Sequence, residues 1–210
     1  MRLKVAAQIL QSKDVVWSLG WAQVDEIDSI NILNATFLAM RRAVEGLWRA
    51  MRSTPGVFDA RLSGSVGDSL KPELWIDGNQ RLPGLELPFR SWPQTTVVKG
   101  DSKVPEISAA SVLAKVARDE YIKGIDFAFP GFGLAKHKGY LAPQHLAALK
   151  EQGPCWFHRK SFSPVKEMWS ERLEEERKSG LGRDAGDAGS RAELGRMALR
   201  SSLENAVCRS

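Results

Sequence analysis

The chain has 210 residues, 43% hydrophobic and 26% charged, ordinary globular values that exclude collagen-like, fibrous and wholly disordered classes and suit one domain with an extension. No run approaches the ~18 apolar residues of a membrane span, and the opening MRLKVAAQILQSKD lacks a signal peptide's apolar core and cleavage site, so a cytoplasmic protein without membrane association is expected. The net charge of +5 is clustered: residues 133–166 hold Lys136, Lys138, Lys150, Arg159, Lys160 and Lys166 against Glu151 alone, together with all three histidines, His137, His145 and His158. Residues 169–210 balance eight basic against eight acidic side chains. A basic cluster of this kind reads either as a polyanion-binding face or as a solvated surface. Cys155 and Cys208 are too few and too far apart for a disulfide framework or a zinc site, and read as incidental.

In chain order, residues 17–24 (WSLGWAQV) predict a strand. Asp25, Asp28 and Ser29 are helix-start signals, and Leu33, Phe37, Met40, Val44, Leu47 and Met51 follow three- and four-residue steps that predict one buried helical face. Residues 53–71 are rich in Gly, Ser and Pro without a period and read as an irregular loop. Residues 73–76 (ELWI) predict a short buried strand ending in the turn Asp77-Gly78-Asn79, and residues 95–98 (TTVV) a second strand running into the turn Lys99-Gly100-Asp101-Ser102. Pro105 and the alanines after it predict a helix to about Tyr121. Pro143 opens a further helix and Gly153 closes it, with Leu146 and Leu149 facing inward. Beyond Met168 a first turn extends a helix, but GLGRDAGDAGS lacks the apolar residues that offset ordering entropy. Strand, turn and helix alternate, which argues an α/β fold.

Two carboxylates stand out. Asp77 ends a buried strand beside Gly78, a position that in α/β domains faces a ligand crevice, although turn formation explains it as well. Asp119 lies in an Ala-rich helix one turn after Lys115, which makes it either a ligand or a solvated ion-pair partner.

Several segments together resemble the motifs of ribonuclease HII. Ile76-Asp77-Gly78-Asn79 is similar to that family's Ile-Asp-Gly strand end. Residues 99–119 (KGDSKVPEISAASVLAKVARD) resemble its longest signature, and His137-Lys138-Gly139-Tyr140 and His158-Arg159-Lys160-Ser161-Phe162 its closing motifs. Order and spacing agree over residues 3–165, interrupted at 48–70, and a match this long is specific.

The resemblance implies a ribonuclease H-like α/β fold, a mixed sheet with surrounding helices. Residues 1–168 would form the catalytic domain, incomplete at its N-terminus and with its irregular loop at about 53–71, and residues 169–210 a largely disordered tail. It implies four carboxylates holding two Mg²⁺ or Mn²⁺ ions, since phosphodiester hydrolysis needs an activated water and a stabilised leaving oxygen, and two metals ~3.5–4 Å apart serve both. Oxygen ligands suit these ions. Asp77 corresponds to the third carboxylate and Asp119 to the fourth. The family's Asp-Glu pair and Gly-Arg-Gly turn have no counterpart, because residues 5–14 already match the helix that follows them. The expectation is an N-terminally truncated chain lacking its opening strands and roughly forty residues. Asp25-Glu26 is a helix start and does not replace the missing pair. Tyr140 resembles the tyrosine that stacks on the deoxyribose beside the scissile ribonucleotide, with core packing as its other reading. Lys99, Lys138, Arg159 and Lys160 would contact phosphates, or are solvated charges. Where the family places Pro-Thr after Gly-Tyr, Leu141-Ala142 stands here, losing a hydroxyl N-cap worth ~1 kcal/mol, partly offset by Pro143.

The implied activity is endonucleolytic hydrolysis 5′ to ribonucleotides in RNA·DNA hybrid or embedded in duplex DNA, by a monomer. The alternatives are a catalytically incomplete nucleic-acid-binding remnant and, from a third class, an interaction module using the charged tail.

Overall fold

Two short parallel strands, each running into a tight turn, organise the first part of the fold in the computed structural model, which describes residues 1–53, 72–86 and 88–179. Contacts divide the chain into two units, 1–114 and 115–210, and the division falls inside a helix.

In the first unit, helix α1 spans Arg2–Gln11. Residues 17–23 then form no ladder, so the expected strand at 17–24 is not a strand. They lie instead on helix α2 (Val24–Ser53): a side chain at Gly20 would collide with the carbonyl of Ala39 and approach the Ala43 nitrogen to 2.6 Å, and the Trp21 carbonyl accepts a 2.6 Å hydrogen bond from Arg42. Apolar residues of high strand propensity are here half-buried against a helix, because a strand needs a neighbouring edge whereas apolar contact does not.

Asp25 and Glu26 occupy the first turn of α2, as expected, and Glu26 Oε2 reaches back to accept the Gln23 N–H at 2.8 Å. The helix breaks at Asn31, whose φ of 65° is non-helical. Its side-chain oxygen accepts the N–H groups of Leu33 at 3.0 Å and Asn34 at 3.1 Å, so Asn31 acts as the N-cap of the longer second segment. Arg42 braces the break by gripping both carboxylate oxygens of Glu26 at 2.6 and 2.8 Å, which holds the Glu26 pKa below its ordinary value and raises that of Arg42. The change of direction removes Leu33, 47% exposed, from the expected buried stripe. Phe37 remains buried, and Met40 and Val44 pack with it around Ile76 and Leu82. Each fully buried side chain of this size contributes roughly 1.5–3 kcal/mol.

Strand β1 spans Leu74–Asp77 and strand β2 Gln94–Val97, each one residue displaced from expectation, and they pair in parallel with Asp77 opposite Val97. Between them the chain is tied down by Gln94, whose amide accepts from Leu82 N–H at 2.7 Å and donates to Leu82 O at 3.2 Å. The rings of Trp48, Phe89 and Trp92 meet edge-on nearby, with centroids 5.2–6.1 Å apart.

Helix α3 (Pro105–Ala128) opens at Pro105 as expected but continues two turns past Tyr121. In the second unit the short helix α4 (Leu134–His137), α5 (Pro143–Gln152) and α6 (Val165–Ser179) surround a core of Ile125, Phe132, Leu134, Ala148, Leu149 and Val165. Leu149 is fully buried there, whereas Leu146 is half-buried. Ala142 supplies no side-chain cap to α5, and Pro143 takes its first position. The irregular region expected at 53–71 lies, beyond Ser53, outside the described residues. The helical start of the tail reaches Ser179, and residues 180–210 are likewise outside. The sheet thus has two strands among the described residues, with helices predominant, in keeping with an α/β class.

Candidate active site

The first unit positions Asp77. Strand β1 delivers its exposed carboxylate to the surface, and Gly78, at φ 106°, turns the chain away while its N–H closes onto the Val97 carbonyl at 3.0 Å. The turn after β2 comes back to the same point, where the Gly100 N–H donates to Asp77 Oδ1 at 2.8 Å. Gly100 is buried at the start of a 3-10 turn (Gly100–Ser102), and a Cβ there would lie 2.6 Å from Ile107 Cδ1. A side chain there would have to displace Ile107, so glycine suits the close approach of the backbone in the Lys-Gly-Asp turn. Lys99 adopts a left-handed φ of 57° and is exposed, while its carbonyl accepts from the Ser102 N–H and hydroxyl at 3.2 and 2.9 Å. One oxygen of Asp77 is therefore aimed by the backbone, and the carboxylate is open to a cation.

The second unit positions Asp119 on α3. Lys115 Nζ lies 2.9 Å from Asp119 Oδ1, the ion pair that the i, i+4 spacing predicts. The ammonium is close but poorly aligned to donate, and Oδ1 is buried without a hydrogen bond. A shielded carboxylate oxygen lacking a directed donor is a natural ligand for a hard dication. Arg118, the neighbour of Asp119, donates to the Lys138 carbonyl at 3.2 Å. That contact brings in the His137-Lys138-Gly139-Tyr140 segment, and the Tyr140 ring sits with Lys115 Nζ and the Arg118 guanidinium each 5.8 Å from its centroid. Tyr140 is 66% exposed, so it is not core.

The remaining basic residues are differently engaged. Lys138 turns its ammonium onto the Ala135 carbonyl at 2.6 Å, closing the end of α4. Arg159 lies over Phe162 and Lys160 over Trp169, at 5.1 and 4.3 Å from the ring centroids. The structure thus gathers Asp119, Lys138 and Tyr140 around Lys115 and Arg118, whereas Asp77 and Lys99 lie in the other unit. Lys115 and Arg118 were not expected as functional groups; the available signal was their spacing of four and one residues from Asp119 on a helix. Cys155 carries a thiol whose pKa burial pushes up, consistent with its reading as incidental. Cys208 lies outside the described residues.

A family model of ribonuclease HII matches residues 1–165. The chain belongs to the ribonuclease HII family. Ribonuclease HII proteins are hydrolases, endoribonucleases that act on RNA·DNA hybrids and use divalent metals. Among the described residues, no group of three or more His, Cys, Asp and Glu side chains is placed to hold a metal ion, and no helix is long and apolar enough to cross a membrane. The donor chemistry of Asp77 and Asp119 nevertheless fits a hard dication, the first through its aimed and exposed carboxylate and the second through a shielded oxygen that is ion-paired but not hydrogen-bonded.

Proposed function

We propose that this ribonuclease HII hydrolyses the phosphodiester 5′ to ribonucleotides in RNA·DNA hybrid or embedded in duplex DNA by two-metal catalysis, with Asp77 and Asp119 as carboxylate ligands of Mg²⁺ or Mn²⁺. When bound, the metals supply an acidic water and neutralise charge at the scissile phosphate. The chain's own residues orient and recognise. Gly100 N–H aims Asp77, and Tyr140 offers an exposed ring to a sugar beside a carboxylate-bearing helix. Lys99, Lys138, Arg159 and Lys160 add phosphate attraction along the backbone, Lys138 after leaving the Ala135 carbonyl. The observation that carries this reading is the exposed Tyr140 ring held against Lys115 and Arg118, the first of which is ion-paired with a shielded Asp119 oxygen that no hydrogen bond engages.

A second reading, binding of hybrid without cutting, is favoured by the Lys115 ammonium, which already occupies the neighbourhood of Asp119 and competes with a cation for it. One experiment separates the two. A duplex with a single ribonucleotide is incubated with the protein and Mn²⁺, and both retention and incision are measured. Incision 5′ to the ribonucleotide that Asp77→Asn and Asp119→Asn each abolish supports the enzyme. Retention with no incision supports the binding protein, and incision that survives either substitution removes the metal-ligand assignment.

A further inference from the structure

His145 and His158, 5% and 6% exposed, are the two buried polar side chains among the described residues, and the function proposed above uses neither. Their contacts fix where the protons sit. The Cys155 N–H donates to His158 Nδ1 at 3.0 Å, so that nitrogen is bare and a neutral ring carries its proton on Nε2. His158 Nε2 lies 3.1 Å from His145 Nε2, which must then accept. The His145 proton is left on Nδ1, facing the Tyr140 carbonyl at 3.2 Å. A directed chain therefore runs from the Cys155 peptide through two imidazoles to the Tyr140 peptide. His137 completes the array: its ring stacks on His145 at 4.6 Å and 17°, and its own carbonyl accepts the Tyr140 N–H at 3.0 Å. Its Nε2 meets the Phe132 carbonyl at 2.9 Å, which puts the proton there and leaves Nδ1 bare and buried without a partner.

The Tyr140 backbone is thus held on both sides by histidines while its ring stands in solvent. We propose that His145 and His158 are positioning residues for nucleic-acid recognition, a neutral imidazole chain that fixes the Tyr140 peptide so that the phenol ring is presented to a sugar. Burial lowers the pKa of both rings, outweighing for His145 the bond to the Tyr140 carbonyl, so the neutral forms that the chain requires prevail. The inference rests on the reading of Tyr140 as a sugar platform.

Two measurements on the full chain test it. Long-range ¹H–¹⁵N NMR of the imidazoles should show His145 protonated on Nδ1, and His158 and His137 on Nε2; an Nε2–H tautomer at His145 overturns the chain without reference to any ligand. Binding of a fluorescent RNA·DNA hybrid by anisotropy, in a metal-free buffer, gives the functional arm. His145→Phe keeps a ring but no donor and should weaken binding about five-fold or more, as loss of an aromatic platform does. His145→Asn places an amide N–H near the former Nδ1 and should restore most of the affinity. In a Tyr140→Ala background, His145→Phe should have no further effect. An equal loss in both backgrounds shows that His145 does not act through Tyr140 and overturns the proposal. If Tyr140→Ala alone leaves binding unchanged, the platform reading fails and the recognition role with it, a result distinguishable from a wrong tautomer.

Discussion

Acidification should weaken the second unit through His158. Its pKa is lowered from 6.5 to about 4, chiefly by burial and secondly by the repulsion that two protonated rings would feel beside each other. Above pH 6.5 the ring is neutral in folded and unfolded chains alike, and its contribution does not vary. As the pH falls from 6.5 toward 4, the unfolded chain takes up a proton that the folded chain refuses, so stability declines across that window; below pH 4 both states are protonated and the loss is complete. A lowering of this size corresponds to about 3 kcal/mol, an upper value because partial solvation screens the site. It is a large share of the ~5–15 kcal/mol that hold a domain folded. A proton on Nδ1 would also confront the Cys155 N–H that now donates to it. Urea melts followed by circular dichroism at pH 7, 5.5 and 4 measure the effect, and with a slope near 2 kcal/mol per molar the midpoint should fall by up to about 1.5 M from this residue alone. His158→Gln removes the titrating group, so its melts should lose correspondingly less over the same range, while acid effects on carboxylates such as Glu26 cancel in the comparison. Equal pH dependence in the two proteins, or a wild-type chain more stable at pH 5 than at pH 7, would refute the reasoning.

Gly100→Ala places a Cβ 2.6 Å from Ile107 Cδ1, so thermal melts should show a destabilisation of about 1–3 kcal/mol, with incision reduced because the N–H that aims Asp77 is displaced. Asn31→Ala removes the cap of the long α2 segment and puts alanine at a positive φ; a loss of about 1–2 kcal/mol in urea melts is expected, and Asn31→Gly should lose only a few tenths. Lys138→Ala should weaken hybrid binding, reduce the slope of log affinity against log salt by about 1, and leave the incision position unchanged; an unaltered slope would confine Lys138 to closing α4.

Short-range chemistry made much of this protein legible from its residues. Pro105 and Pro143 open their helices, Gly153 ends one, and Asp77-Gly78 and Lys99-Gly100 turn where the strands stop. In each case the cause is local, a fixed φ, a missing Cβ or a missing N–H, and travels with the residue. The motif order from Asp77 to Phe162 likewise marks the family in the sequence alone. What depended on how segments turn and pack was decided only in three dimensions. The WSLGWAQV run has the composition of a strand, but whether it pairs or packs depends on which surface reaches it, and α2 does. Leu33 fits a helical period that Asn31 interrupts. Lys138 is one basic residue among six in residues 133–166, and only the folded chain shows its ammonium committed to Ala135. The three histidines spread over the 22 residues from His137 to His158, and no spacing rule joins them. Burial brings their rings together, and the direction of a single peptide N–H at Cys155 then sets each proton down to Tyr140. Propensity is a property of a residue, whereas a hydrogen-bond direction in a buried cluster is a property of the whole packed set.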